Sequence, residues 1–356
     1  MTSIPTIDSQ RLSSIRFPLI VGVVLIHNHE ILALTSTTAT GQPWQALLSN
    51  FVVNFFSNGI ARIAVPILFI TSSYIFFTKY ENGLRAYKST IRKKIRSLAI
   101  PYAIWNIALF SIFALITLTH TGKPIISDRI HIPREFNPAT IIDLILGITK
   151  KPIGHHLWFI RDLLLAFIVS PLIHLAIKRT GLAFIVPTTL LWLFDIWPTP
   201  TPSLDAVLFF SIGCWIATNK INLFSLDRYL PHFLSIYSLT LIFSTIIGEA
   251  STSGRLIHNA CIILGIPAAI SATKYIYKSH ALQTLSSASF FVYAAHDPAI
   301  SLIRKISLAV IPNPNHITVA ALYFIIPAFL ILLLVNAYNI LNRRLPNLTS
   351  VITGGR

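Results

Sequence analysis

The chain has 356 residues, of which 54% are apolar and only 11% are charged. A soluble domain carries about 25% charged residues, so this composition excludes a soluble globular protein and indicates an integral membrane protein. The 28 Lys and Arg residues exceed the 12 Asp and Glu residues and give a net charge of +16. No stretch of the chain could fold as a separate basic domain, so we expect no nucleic-acid partner.

Ten apolar runs follow one another along the chain, separated by polar, Pro-rich or charged segments. A bilayer core of about 30 Å needs about 20 helical residues per crossing, so ten crossings would use a little over half of the chain. We therefore predict an all-α integral membrane protein, a single bundle of about ten transmembrane helices. In chain order the predicted spans are 17–34, 51–77, 98–119, 157–177, 182–197, 204–218, 229–247, 256–273, 286–310 and 317–341.

The basic residues are distributed unevenly between alternate loops, with 18 on one side and six on the other. The positive-inside rule then predicts that both termini are cytoplasmic. We expect a multi-pass protein of the cytoplasmic membrane, in contact with its lipid. The predicted divisions are a cytoplasmic segment over 1–15, a ten-span membrane domain over 16–341 and a cytoplasmic tail over 342–356. Polar residues interrupt the first run and nine runs follow it, so it is a retained helix rather than a signal peptide.

Span one combines three ionisable side chains at helical spacing. Arg16 and His27 are 11 residues apart, and a rotation of 100° per residue leaves them only about 20° apart around the helix axis. The rise between them is about 16 Å, which places Arg16 at the cytoplasmic mouth and His27 near mid-membrane on the same face. Glu30 is a helical neighbour that could orient or charge the His27 imidazole. The alternative is that Arg16 is only a positive-inside anchor and His27 a packing residue.

Other ionisable residues also fall inside apolar runs, where each costs a few kcal/mol at the centre of a bilayer. Arg62 lies in the second predicted span, and Arg161 and Asp162 lie in the fourth. Adjacent residues on a helix point about 100° apart, so we expect Arg161 and Asp162 to find partners on other spans and not to pair with each other. Structural ion pairs between helices and direct substrate contacts are both open for these residues.

Histidines stand at two further places. His155 and His156 lie at the external end of span four, and no third ligand at a recognisable spacing accompanies them, so we predict no metal site. An acceptor contact or an ordinary interfacial position is the expected role of this pair. His296 lies about ten residues into span nine, at a depth comparable to that of His27. Asp297 and Pro298 follow it, so we expect the helix to bend there and to open a cavity.

The loop 79–96 carries seven Lys and Arg residues and one acidic residue, Glu81. Such a loop is typical of a topology determinant. The alternative is that the loop grips the phosphates of a nucleotide-bearing acyl donor. The residues that would do so are Arg92, Lys93, Lys94 and Arg96.

Five segments form a series along most of the chain. The first is the Arg16-x10-His27 spacing, and the last is Ser289-Phe290-Phe291-Val292-Tyr293-Ala294-Ala295-His296. The three between them are Val65-Pro66-Ile67-Leu68-Phe69-Ile70-Thr71-Ser72-Ser73-Tyr74, the basic run 92–96 before Pro101-Tyr102, and Leu157-Trp158-Phe159-Ile160-Arg161-Asp162-Leu163 continuing to Ser170-Pro171-Leu172. Together they resemble the signature segments of the membrane-bound acyltransferase 3 family, whose VPLFFFISGY element has Gly where this chain has Ser73.

The resemblance implies a multi-span acyltransferase of the O-acetyltransferase type. Such an enzyme moves an acyl group, most often acetyl, from acyl-CoA to a hydroxyl of a cell-surface or lipid-linked glycan, with no tightly bound cofactor. It makes His27 the general base, and the helical neighbour Glu30 is the residue that could orient it. The chain ends 15 residues after the last predicted span, so we expect no appended esterase-like domain. Substrate contacts are expected from Arg16, Arg62, Ser72, Tyr74, Arg92, Lys93, Arg96, Trp158, Arg161, Asp162 and His296.

Two other classes of protein are compatible with ionisable residues inside spans. A multi-span transporter or flippase of a polar or lipid-linked substrate would also place His, Arg and acidic residues around a midplane site. No pair of corresponding broken helices stands out in two halves of the sequence, which disfavours this class. A polytopic scaffold is the third reading. Consumption of acetyl-CoA with release of free thiol would distinguish the acyltransferase from both.

Overall fold

The computed structural model describes residues 5–79, 84–118, 137–199 and 201–355. Within these ranges the chain is helical and contains no β-strand, so the all-α prediction is confirmed. The first nine helices are α1 (Thr6–Ser14), α2 (Arg16–Asn28), α3 (Glu30–Thr35), α4 (Pro43–Asn54), α5 (Ala64–Thr78), α6 (Leu84–Lys94), α7 (Ile100–Leu118), α8 (Pro138–Leu146) and α9 (Trp158–Ile168). The others are α10 (Ser170–Thr180), α11 (Leu182–Leu193), α12 (Leu204–Thr218), α13 (Leu230–Ile247), α14 (Thr252–Ile276), α15 (His280–Val310), α16 (His316–Arg344) and α17 (Pro346–Thr353).

Short turns of other helix types join some of these helices. Phe55–Gly59 and Ile95–Ala99 are π-helical, and Ile60–Ile63, His155–Leu157 and Asp227–Tyr229 are 3₁₀-helical. The π-helical turns widen otherwise continuous helices at the points where α4 leads into α5 and α6 leads into α7. π-Helical turns are frequent at functional sites. The 3₁₀ turn His155–Leu157 carries the two adjacent histidines, His155 and His156.

Fewer helices are long enough to cross a membrane than the ten predicted runs. Six segments of the described chain are long and apolar enough by themselves, and His155–Ile168 with Ser170–Thr180, bent by 66°, would make a seventh. The helices α11 and α12 contain 12 and 15 residues, which is about 18 and 22 Å of rise and less than a bilayer core. The count of ten therefore stays a prediction. The six segments are Thr6–Thr35, Pro43–Thr78, Tyr87–Ile116, Asp227–Ile247, Thr252–Ile276 and His316–Arg344.

The contact between α5 and α12 is a very close helix crossing in the core. Buried Ser73 donates a hydrogen bond of 2.6 Å to the carbonyl oxygen of Phe210. A Cβ atom on Gly213 would lie 2.3 Å from the carbonyl oxygen of Ile70, so a larger residue there would force the helices apart. The family signature has Gly at position 73 of α5, where this chain has the larger Ser73. The small residue at this crossing is Gly213 on α12, and it permits the close approach of the two helices.

The helix α15 packs beside α2 and is interrupted in its middle. Asp297 has φ −116° and ψ 121°, an extended conformation that the following Pro298 favours because its ring crowds an α-helical residue before it. The predicted bend after His296 is therefore confirmed. Because Asp297 is not helical, its side chain does not follow the regular spacing of α15. It lies close to the end of α2.

Both ends of the described chain pack against the helical body. Arg11 on α1 is buried and forms an ion pair with Asp227 at 2.6 Å. At the other end, the indole Nε1 of Trp105 on α7 donates a hydrogen bond of 3.0 Å to the carbonyl oxygen of Ile352 on α17. The segments predicted to flank the membrane domain thus contribute helices that bind the 3₁₀ turn before α13 and the helix α7.

Candidate active site

Four histidines from three parts of the chain converge at the end of α2. The ring of His27 lies 4.9 Å from that of His296 and 5.5 Å from that of His155, measured between centroids. The ring of His156 lies 4.9 Å from that of His296. Of these rings, His27 belongs to α2, His155 and His156 to the 3₁₀ turn before α9, and His296 to α15. We call these four residues, together with Asp297, the histidine cluster.

Asp297 provides the negative charge of the histidine cluster. Its Oδ2 lies 3.2 Å from Nε2 of His155 and 3.5 Å from Nδ1 of His156. The Asp297 side chain is only 8% exposed, and a buried carboxylate must be compensated by nearby positive or donating groups. The interruption of α15 therefore brings one carboxylate into contact with two imidazoles.

The two histidines that face each other in the cluster differ in access. Nδ1 of His296 contacts the Tyr293 carbonyl oxygen at 2.7 Å, so Nδ1 carries the proton and donates it. Its Nε2 is buried, and within the described residues it has no hydrogen-bond partner. His27 instead lines a cavity of about 330 Å³, which we call the His27 cavity. A substrate group can reach the imidazole of His27 from that cavity, whereas His296 is fully buried.

Glu30 and Arg304 form an ion pair at the end of α2. Arg304 is buried, and its Nη1 donates a hydrogen bond of 2.9 Å to the carbonyl oxygen of His27. A cation at a helix C-terminus is favoured because the last carbonyl groups there have no helical partner. The sequence-based hypothesis made Glu30 a helical neighbour that could orient or charge the imidazole. In the structure Glu30 holds the arginine that binds the main chain of His27.

A second cavity lies on the other side of Tyr293. This Arg16 cavity has a volume of about 280 Å³ and is lined by Arg16, Ser72, Lys94 and Tyr293 among others. The Tyr293 ring lies 5.9 Å from the His156 ring and 6.0 Å from the His296 ring, and its hydroxyl donates to the carbonyl oxygen of His156. Tyr293 thus stands between the cations of the Arg16 cavity and the histidine cluster.

Several predicted substrate contacts lie near the Arg16 cavity or in the basic run, and only some of them line the cavity. Ser72 joins Arg16 in the Arg16 cavity, and from the basic run Lys94 joins them. Tyr74 is buried and outside the lining of that cavity. The structure also leaves three predicted contacts exposed and outside that lining, namely Arg92, Lys93 and Arg96.

The expectation that Arg161 and Asp162 cannot pair is wrong. Arg161 Nε lies 2.8 Å from Asp162 Oδ1, because the long arginine side chain folds back across the 100° between adjacent residues. Both side chains also bind main-chain groups elsewhere: Arg161 donates to the Gly147 carbonyl oxygen at 2.5 Å, and Asp162 Oδ2 accepts from the amide of Ser203 at 2.7 Å. These contacts tie α9 to α12 and to the chain after α8, which gives the pair a structural role.

Arg62 and Trp158 meet in a cavity away from the Arg16 cavity. The Arg62 Nη2 donates a hydrogen bond of 2.9 Å to Oδ1 of Asn58. Both Arg62 and Trp158 line a cavity of about 740 Å³, which we call the Trp158 cavity. Neither residue lines the His27 cavity or the Arg16 cavity.

The histidine cluster contains a set of side chains that could hold a metal ion. One ligand atom each from His27, His155 and Asp297 lies within 4.8 Å of the others. Nitrogen and carboxylate ligands of this kind suit Zn²⁺. The sequence lacked a third ligand beside His155 and His156, and the tertiary structure supplies two from other helices.

Two residues of the site were missed as site residues by sequence reasoning. Asp297 was considered only for its place beside Pro298, and Arg304 was not assigned a role. Both are buried ionisable residues in one apolar run, and such residues are expensive in a bilayer unless they serve a site. The same test that singled out His27 would have found them.

Comparisons with known proteins show the family to which the chain belongs. A family model described as an acyltransferase domain matches residues 10–335, so the chain belongs to the acyltransferase 3 family and is a membrane acyltransferase. The chain is similar to the succinoglycan biosynthesis protein ExoH of Rhizobium meliloti (strain 1021). The two are 24% identical over 368 aligned residues, which cover 98% of this chain and 92% of ExoH. No solved structure matches the chain.

Proposed function

We propose that the protein is an O-acyltransferase of the cytoplasmic membrane that moves an acyl group, acetyl above all, from acyl-CoA to a hydroxyl of a cell-surface or lipid-linked glycan. The observation that carries the proposal is that the histidine cluster lines the His27 cavity and contacts Tyr293, which lines the Arg16 cavity. The name of the relative, a succinoglycan biosynthesis protein, supports a polysaccharide as the acceptor.

The Arg16 cavity suits the phosphate end of acyl-CoA. Arg16 and Lys94 are its two cations, and charge-assisted hydrogen bonds to phosphate are about twice as strong as neutral ones. Ser72 adds a hydroxyl to the same wall. On the predicted topology this cavity lies toward the cytoplasm, where acyl-CoA is present. The acyl thioester then extends past Tyr293 toward the histidines.

His27 acts as the general base. Its imidazole takes the proton of the acceptor hydroxyl, and the oxygen attacks the thioester carbonyl carbon to form the new C–O bond. The C–S bond breaks, and the CoA thiolate leaves and recovers the proton from the imidazolium. Within the described residues no protein group hydrogen-bonds a ring nitrogen of His27, and the ring lines the His27 cavity, so the nitrogen lone pair is available to a hydroxyl.

The neighbours of His27 position it and compensate its charge. Asp297 carries the negative charge that stabilises an imidazolium among three other rings. Arg304 fixes the main chain of His27 and is itself held by Glu30. The buried His296 ring packs against His27 at 4.9 Å. The catalytic proton transfer is therefore assigned to His27, and positioning to the others.

The experiment compares surface glycans from cells with and without the gene by mass spectrometry. We expect glycans of the producing cells to carry additional mass equal to one or more acetyl groups. In parallel, full-length protein in lipid nanodiscs, which expose both faces, should release free thiol from acetyl-CoA when glycan is present. Identical glycans in both strains and no thiol release would contradict the proposal and favour the transporter class.

A further inference from the structure

The Trp158 cavity differs from the other two cavities in both size and lining. Its volume of about 740 Å³ lies well within the usual range for ligand sites, roughly 300–1,000 Å³. Three of the six tryptophans of the chain line it. They are Trp158, Trp192 and Trp197, and the carboxylates of Asp195, Asp205 and Glu249 lie in the same wall.

This combination is the chemistry that recognises sugars. The C–H faces of a pyranose ring pack on aromatic rings, and carboxylate oxygens accept hydrogen bonds from hydroxyl groups. The three carboxylates of the lining stand against the two guanidinium groups of Arg62 and Arg255. The imidazole of His258 lies in the same lining, so acidic and basic groups are close to balance, and such a wall suits neutral, hydroxyl-rich residues.

The aromatic residues are not simply anchors at the membrane surface, where tryptophan is common. Trp192 is only 9% exposed, and its Nε1 donates a hydrogen bond of 3.0 Å to Asp205 Oδ1. Trp197 Nε1 donates to the Pro202 carbonyl oxygen at 2.9 Å. These bonds fix two indole rings in the wall of a polar cavity, which preorganises their faces for a ligand.

The Trp158 cavity adjoins the elements that carry the histidine cluster. Its lining includes Ile26, which directly precedes His27 on α2, and Trp158, which follows His156 by two residues. The cavity also shares Arg62, Glu249 and His258 with a further polar cavity of about 340 Å³. The combined space suits several linked sugar units rather than one.

We infer that the Trp158 cavity is an acceptor subsite that binds neutral sugar units of the glycan while a neighbouring unit presents its hydroxyl to the histidine cluster. This inference rests on the proposed function. The loop that carries Asp195 and Trp197 then contributes to acceptor specificity without touching the acyl donor.

The test uses Asp195 and Trp197 variants of the full-length protein in lipid nanodiscs. The donor is acetyl-CoA, and the acceptor probe is surface polysaccharide of the producing cells after mild alkaline removal of its esters. Asp195 has a φ of 54°, which Asn adopts readily, so Asp195→Asn removes only the charge. Trp197→Ala removes the ring, and Trp197→Phe keeps an aromatic face although it also lacks the indole N–H. Trp44→Ala is the matched control, because Trp44 is 59% exposed and outside the cavity.

We expect Asp195→Asn and Trp197→Ala each to raise KM for the polysaccharide by about three- to tenfold, the effect of one hydrogen bond or one aromatic contact. KM for acetyl-CoA should stay within about twofold in both. Trp197→Phe keeps a ring face but loses the hydrogen bond that fixes it, so its KM for the polysaccharide should lie between those of Trp197→Ala and the wild type. Trp44→Ala should resemble the wild type. An unchanged polysaccharide KM, an equal rise for Trp44→Ala, or a parallel rise in KM for acetyl-CoA would overturn the inference. So would a change confined to the amount of protein in the membrane, which is the signature of interfacial anchors.

The proposed function and the subsite fail in different ways. If the wild type transfers no acetyl group to the polysaccharide, the proposed function is wrong. Indole fluorescence then tests the cavity alone. The de-esterified polysaccharide should quench the tryptophan fluorescence of the wild type, and a smaller quenching in Trp197→Ala would support a sugar site. If the wild type transfers acetyl and both variants retain their KM values, only the subsite is wrong.

Discussion

The Arg16 cavity and the His27 cavity have similar volumes and contrasting walls. The first combines the cations of Arg16 and Lys94 with the hydroxyl groups of Ser72, Ser286 and Ser289 among apolar residues. Apart from the histidine cluster, Glu30 and Ser301, the wall of the second is apolar and includes Trp105, Leu109, Ile112, Phe113 and Leu302. A phosphate-bearing donor is therefore matched to one cavity, and an acyl group or sugar hydroxyl beside a base is matched to the other. On this account the phosphates of the donor bind in the Arg16 cavity, and the proton transfer takes place in the His27 cavity.

The largest effect is expected from His27→Ala. General-base assistance contributes about 10²–10⁴-fold, so kcat should fall by that factor while acyl-CoA binding in the Arg16 cavity persists. Thiol release and glycan acetylation in nanodiscs measure the loss, and equilibrium binding of acyl-CoA measures what remains. The exposed His280 provides the matched control, and His280→Ala should keep wild-type rates. If His27→Ala also lost acyl-CoA binding, the assignment of the donor to the Arg16 cavity would be contradicted.

A smaller loss, on the order of tenfold to a hundredfold in kcat, is expected from Asp297→Asn. The amide keeps the size of the side chain but removes the charge that compensates the imidazoles of His155 and His156, and breaking a buried charge pair typically costs a few kcal/mol. Steady-state kinetics with acetyl-CoA and the de-esterified polysaccharide measure this loss. Unchanged turnover would show that the cluster works without a carboxylate.

A metal held by His27, His155 and Asp297 is the alternative explanation of a loss in Asp297→Asn. Dialysis against EDTA distinguishes the two, because a base made of protein groups alone keeps its rate after chelation. We expect full activity after dialysis. Loss of activity that added Zn²⁺ restores would replace the general-base role of His27 with a ligand role.

Arg16→Lys is expected to raise KM for acetyl-CoA several-fold with little change in kcat. Lysine keeps the positive charge but loses the planar fork that binds phosphate through two hydrogen bonds. A simple positive-inside anchor would tolerate the change, so an unchanged KM would contradict the donor role of the Arg16 cavity. Protein abundance in the membrane is measured in parallel as the control for topology.

The smallest effect is expected from replacing Arg92, Lys93 and Arg96 together with Gln. These residues are exposed and outside the Arg16 cavity, so their attraction for the donor is screened by salt. KM for acetyl-CoA should rise by about twofold at low ionic strength, and the difference should vanish at high salt. A rise larger than that of Arg16→Lys would move the donor site to the basic loop.

Features that depend on neighbouring residues could be predicted from the sequence, and the assembly of the site could not. The helical runs, the shared helix of Arg16 and His27 and the bend at Asp297 follow from local composition and from proline chemistry. The contact of Asp297 with His155 joins two distant segments, and no periodicity reports it. The Arg161–Asp162 pair was missed because the angle between Cα–Cβ directions does not limit a long, flexible side chain.

The number of membrane crossings also could not be predicted by counting apolar runs. Residues 182–193 and 204–218 are apolar enough to be counted, but their helices are too short to span a bilayer alone. Packing against neighbouring helices determines whether such segments cross the membrane. The positions of Ser72 and Lys94 in the wall of the Arg16 cavity also depend on tertiary packing. Packing decides which residues of a sequence motif face the cavity.

Chemical rescue of His27→Ala tests the central claim most directly, because it separates a missing base from a damaged structure. The His27 cavity reaches the position of the missing ring, so added imidazole should enter and raise glycan acetylation by about tenfold or more. His296→Ala is the matched variant, since His296 is fully buried and imidazole should not restore its activity. Rescue of His296→Ala without rescue of His27→Ala would contradict the assignment of His27 as the base.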